Sequence, residues 1–86
     1  LKATRNGEPI ELTPREFEIL QLLIAHTGET VTREQLLHHI WGENASLYTR
    51  TIDAHITRLR QKIEPNPANP EFIITAHRVG YRLVGV

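Results

Sequence analysis

The chain has 86 residues, 40% of them apolar and 23% charged, with no cysteine and a formal net charge of zero. That describes one small globular domain with a modest core, and it excludes disulfides and thiolate metal sites, as suits a reducing cytoplasm. No apolar run approaches the roughly 20 residues of a membrane helix, and no signal peptide is visible. The chain starts at Leu1 without Met and reads as a single domain, residues 1–86, cut from something longer.

The zero total hides a sorting of charge. Residues 1–49 hold four basic and seven acidic residues, and residues 50–86 hold six basic and three acidic, so the halves stand at −3 and +3. Sorted charge makes a local field that a neutral total conceals.

Two short strands around Asn6-Gly7 open the chain, because Asn-Gly favours a tight hairpin turn. Thr13-Pro14-Arg15-Glu16 then announces a helix. Thr13 can cap it, Glu16 can reciprocate, and Pro14 fits its first position. Phe17, Leu20, Leu23 and Ile24 make its expected buried stripe, and Gly28 is the expected stop. Thr32-Arg33-Glu34-Gln35 is a second capping box, leading to a helix with an apolar face of Leu36, Leu37, Ile40 and Trp41. Residues 43–48 read as a polar connection.

A third helix is expected over 49–64. Ile52, Ile56, Leu59 and Ile63 recur at helical spacing on one side. Arg50, Ala54, Thr57, Arg58 and Gln61 fall on the far side, Thr51 lies at its edge, and His55, Arg60 and Lys62 flank the apolar stripe. Pro65, Pro67 and Pro70 break the chain. Phe72–Thr75 and Tyr81–Val84 then read as strands joined by a loop carrying His77 and Arg78. Two strands, three helices and two strands predict an α+β domain with a three-helix core.

The outer face of the third helix is cationic and hydrogen-bonding. Arg reads guanine bidentately, and Thr or Ala can meet a thymine methyl. Flanking Arg and Lys can hold phosphates. Alone, such a face is most often simply solvated. Two capped helices ahead of it make a helix-turn-helix arrangement, and Arg at a hairpin tip suits the negative potential of a minor groove. Aromatic residues are only 6% of the chain, too few for a surface built on base stacking.

An enzyme is not expected. The adjacent His38 and His39 do not make the i, i+4 pair of a helical metal site, and no nucleophile, base and orienting group are brought together. No cofactor or metal is implied.

The runs LTPREFEILQLLIAHTGETVTREQLLHHIWG, RTIDAHITRLRQKI and IITAHRVGYRL together resemble the effector domain of OmpR/PhoB-type response regulators. The resemblance implies a winged helix-turn-helix fold: short N-terminal antiparallel strands, of which this chain holds the last two of four, a three-helix core and a C-terminal β-hairpin wing. It implies sequence-specific binding of double-stranded DNA in transcriptional regulation, the recognition helix 49–64 in the major groove and the wing 75–81 at the minor groove. By position, Arg50, His55, Thr57, Arg58 and Arg60 correspond to DNA contacts of the recognition helix, and Thr75 and His77 to contacts of the wing. The family's wing usually reads Val-Arg-Gly-x-Gly-Tyr. Here it reads Ala76-His77-Arg78-Val79-Gly80-Tyr81, so the Arg is displaced by one and either His77 or Arg78 enters the groove. The first Gly becoming Arg also suggests a stiffer tip.

The resemblance further implies that the connection Glu43, Asn44, Ala45, Ser46, Leu47 and Tyr48 contacts RNA polymerase. It places a receiver domain with the phosphorylated Asp outside this chain, in a bacterial cytoplasmic two-component system. It makes the isolated domain monomeric, with tandem pairs forming on direct-repeat half-sites. The rival reading is a winged helix that binds protein alone.

Overall fold

A computed structural model of the chain describes residues 2–5, 7–48 and 50–85, without the side chains of residues 2–5, 47 and 48. The elements run β1 (Lys2–Arg5), β2 (Glu8–Glu11), α1 (Pro14–Ala25), β3 (Thr30–Thr32), α2 (Arg33–Trp41), a 3-10 helix (Gly42–Tyr48), α3 (Thr51–Ile63), β4 (Ile73–Ala76) and β5 (Gly80–Leu83). The expected α+β winged architecture is present. β1 and β2 pair antiparallel with Thr4 opposite Pro9. Asn6, half of the expected turn, lies outside the described residues.

Both capping boxes form. Thr13 Oγ1 accepts from Glu16 N, and Glu16 Oε1 accepts from Thr13 N at 3.0 Å. Thr32 and Gln35 repeat the exchange at the start of α2. Each box satisfies two N–H groups that a helix start otherwise leaves open.

The three helices meet around Ile19 and Leu23 of α1, Leu36, Leu37 and Ile40 of α2, and Ile52, Ile56 and Leu59 of α3. The stripe expected on α1 is rotated. Its centre lies at Ile19 and Leu23, whereas Ile24, 100° round from Leu23, is half exposed at 50%. Phe17 and Leu20 pack at the core's edge, as do Trp41 and Ile63.

A strand absent from the sequence reading, β3, completes the wing sheet. The order is β3-β5-β4, with β5 antiparallel to both neighbours. Three residues between two helices carry too short an alternation to announce a strand. Val31 is buried against Tyr81, its partner in the ladder. The hairpin strands begin at Ile73 and Gly80 rather than Phe72 and Tyr81. Gly80 is dictated by this third strand: a Cβ there would lie 2.0 Å from the Val31 carbonyl oxygen. The sheet thus joins the start of α2 to the wing, and Arg33 N donates to Val79 O at 3.1 Å.

Glu64, 2% exposed, shapes the link from α3 to the wing. Its carboxylate accepts from the backbone N–H groups of Glu71, Phe72 and Ile73 at 2.8–3.1 Å. One side chain thereby closes the proline-rich turn and starts β4 in register beneath α3.

Candidate nucleic-acid interface

α3 begins one residue after Arg50, the N-cap residue, which makes no side-chain cap. The helix is favoured instead by charge at its ends: Asp53 in the first turn, Arg60 and Lys62 in the last. These signs match the helix dipole. With Ile52, Ile56 and Leu59 inward, Arg50, Asp53, Ala54, Thr57, Arg58 and Gln61 are exposed, and Thr51, His55 and Arg60 are half-buried. The expected outer face is therefore assembled on one side of one helix. Thr49, its expected first residue, lies outside the described residues.

The flanking residues are drawn inward. Lys62 Nζ sits 2.5 Å from Glu16 Oε1, tying the end of α3 to the start of α1. Glu16 is 1% exposed. Burial pushes its carboxyl up, but the hydrogen bonds from Lys62 and Thr13 and the Lys62 charge outweigh it and hold the group below its ordinary value. Lys62 is thus a structural partner and not a free cation for phosphate, as its flanking position suggested. His55 Nδ1 lies 2.8 Å from Thr51 O, and its ring meets Trp41 edge-on at 5.6 Å between centroids. The Arg15 guanidinium lies 5.3 Å from the centre of the same indole.

Arg60 turns toward the wing. Its guanidinium donates to Ile73 O at 2.8 and 3.2 Å and to Thr75 Oγ1 at 2.7 Å, and it lies 5.6 Å from the centre of the Tyr81 ring. Arg60 and Thr75, two expected contacts, are thus brought together and engage each other.

Asp53 is the residue of this site that sequence reasoning left without a role. One carboxylate oxygen accepts from Tyr81 Oη at 2.5 Å and the other from Arg33 at 2.8 Å. Burial, then the hydrogen bond to Asp53 and its negative charge, push the Tyr81 phenol up to about 12. A lone acid among the cations of an otherwise donor-rich helix face was the available signal. Asp53 and Arg60 together bolt α3 to β4 and β5, and Asp53 also reaches the start of α2.

The wing tip is His77, Arg78 and Val79, closed by a Val79 N to Ala76 O bond of 2.9 Å. All three are exposed, Val79 by 49%. Arg78 has φ 64°. A turn with positive φ at its third residue ordinarily takes Gly there, so the Arg stands where the usual wing has its first glycine. Arg78 and Val79 face Arg33, Glu34 and Leu37 across a groove of about 450 Å³ between the wing and α2.

The connection after α2 is a 3-10 helix, not an irregular loop. Ala45 is buried, while Glu43, Asn44 and Ser46 are exposed. Glu43, Ala45 and Ser46 border a second groove with Glu34, Leu37 and His38 of α2. Among the described residues no helix is long and apolar enough to cross a membrane.

A three-helix core with a hairpin bolted to its third helix defines a winged helix-turn-helix domain. The chain belongs to the family described as transcriptional regulatory protein, C terminal, whose family model matches residues 7–83. It is 48% identical over 79 residues to a probable transcriptional regulator, ycf27, of Cyanophora paradoxa, covering 90% of this chain and 33% of that protein. It is 45% identical over 80 residues to the sensory transduction protein RegX3 of Mycolicibacterium smegmatis, covering 93% and 35%. The chain therefore spans about a third of the length of these relatives. Among solved structures it is similar to the response regulator DrrB of Thermotoga maritima, an OmpR/PhoB homolog (TM-score 0.89, 39% identity, 99% of this chain and 38% of that one). It is also similar to the RstA DNA-binding domain of Klebsiella pneumoniae in complex with RstA box (TM-score 0.86, 30% identity, 96% and 82%). The resemblance to OmpR/PhoB-type effector domains is borne out, and the family is one of transcriptional regulators, not of enzymes.

Proposed function

We propose that this domain binds double-stranded DNA sequence-specifically as the effector module of a response regulator. The observation that carries the reading is the exposed face of α3, where Arg50, Ala54, Thr57, Arg58 and Gln61 stand on a helix clamped to a wing that presents His77 and Arg78. Membership of the family and likeness to a domain solved with its DNA box support it. α3 enters the major groove and Arg58 and Arg50 read base edges. Gln61 and Thr51 follow the groove wall, and His55 meets a phosphate at its edge. Arg78, exposed at the third residue of the tip turn, takes the minor-groove place beside His77. Arg60 and Thr75 hold the wing and meet backbone from its base.

In the full-length protein, two such domains bind direct-repeat half-sites in tandem, the domain alone being monomeric. The segment 43–48, with Glu43, Asn44 and Ser46 exposed, is a surface for RNA polymerase. The setting is the cytoplasm of a bacterial two-component system, with the signal received outside this chain. Selection of bound sequences from a random duplex library tests the reading. Enrichment of a repeated half-site is expected. A pool that stays random overturns it and favours a protein-binding winged helix.

A further inference from the structure

The exposed residues in the middle of α3 are Asp53, Ala54, Thr57 and Arg58. They differ sharply in what they can offer a base. Arg58 brings donors only, and Ala54 a methyl group. Asp53 would be the natural acceptor for an amino group in the groove, but its carboxylate is engaged by Tyr81 of β5 and paired with Arg33 at the start of α2. A second acceptor, one turn further on and not tied to another element, is Thr57. Its hydroxyl lies 2.9 Å from the Asp53 carbonyl oxygen one turn earlier. A carbonyl oxygen only accepts, so the hydroxyl proton is committed to that bond. What Thr57 turns outward is a pair of lone pairs and a methyl group.

We propose that Thr57 is a specificity-determining residue that accepts a hydrogen bond from the exocyclic amino group of adenine or cytosine in the major groove. Adenine N6 and cytosine N4 are the donors displayed there, while guanine N7 and O6 and thymine O4 are acceptors. With its proton held by Asp53 O, Thr57 set against a guanine or thymine edge would place acceptor against acceptor. Asp53 therefore acts twice. Its carboxylate fixes the helix to α2 and the wing, and its carbonyl sets the polarity of Thr57. The face then reads with donors at Arg58 and an acceptor one residue before it.

The inference rests on the DNA-binding reading, and one set of selections separates their failures. Wild type, Thr57→Ser and Thr57→Val are each used to select from a random duplex library, with thermal melts confirming that all three fold. Thr57→Ser keeps the hydroxyl and should keep the wild-type preference. Thr57→Val keeps the shape and should lose about 3- to 10-fold of the preference at one base pair, the worth of one hydrogen bond. Replacing the favoured base there by an analogue without its amino group (purine for adenine, 2-pyrimidinone for cytosine) should weaken wild type by the same factor and leave Thr57→Val unchanged. An enriched wild-type motif that Thr57→Val reproduces overturns the inference alone. So does a preference lost in Thr57→Ser but kept in Thr57→Val, which would mean a methyl contact with thymine. A wild type that enriches no sequence overturns the DNA-binding reading and the inference with it.

Discussion

Single residues separate binding from folding on α3. Arg58 is exposed and Ile56 fully buried, two positions apart on one helix. Arg58→Ala should lower affinity for the selected site by about 1–3 kcal/mol and relax preference at one position, with no change in melting temperature. Ile56→Ala should instead lose about 2–5 kcal/mol of stability, from transfer and cavity together. Melts and titrations on both variants check the assignment, and an Arg58→Ala variant that binds as wild type refutes it. Arg78 makes a different trade. A non-glycine residue in the left-handed region costs roughly 1–2 kcal/mol, part of which Gly gives back as unfolded-state entropy. Arg78→Gly should therefore raise the denaturant midpoint slightly while weakening DNA binding. A lowered midpoint would show that Arg78 makes a stabilising contact at the tip. Glu16 gives a pH signature. Its folded carboxyl sits below the ordinary value of 4.5, so its stabilisation is complete above that value and is lost as pH falls through the folded one. Glu16→Gln should be less stable than wild type at neutral pH, and the gap should close in acid. A gap that is constant with pH would contradict the pairing with Lys62.

At the scale of elements, the three helices were legible because each carried its own signals. Thr13-Pro14 and Thr32 marked starts, and Ile52, Ile56 and Leu59 marked a buried side. The outward face of α3 followed from the same periodicity, which is why Arg50, Ala54, Thr57, Arg58 and Gln61 all stand where helical geometry put them. What was hidden depends on partners distant in the chain. β3 exists because Val31 and Thr32 pair with β5, and nothing in three residues reveals that. Lys62 and Arg60 read as free cations because their acceptors, Glu16 and the Ile73 carbonyl, come from α1 and β4. Glu64 was likewise invisible as the acid that closes the turn into β4. Removing it would orphan three backbone N–H groups, each costing about 1–3 kcal/mol. Glu64→Ala should accordingly lose at least about 3 kcal/mol of stability, measured by chemical denaturation. A loss below about 1 kcal/mol would mean that water replaces the carboxylate.

For the molecule as a whole, the −3 and +3 halves of the chain take on a structural meaning. The acidic half is largely α1, α2 and the 3-10 helix, and the basic half is α3 and the hairpin of β4 and β5. A neutral protein thereby exposes Arg50 and Arg58 on α3 and His77 and Arg78 at the wing tip. Asp53, the acid on the same helix, is ion-paired with Arg33 and accepts a hydrogen bond from Tyr81. We propose that Arg50, Arg58, His77 and Arg78 together meet the phosphates and bases of a duplex. The most direct test of this claim is the affinity of the chain for its selected half-site as salt is raised from about 50 to 200 mM. Counterion release predicts that log affinity falls linearly with log salt, by about 0.9 per phosphate neutralised. An affinity that does not change with salt would contradict the claim.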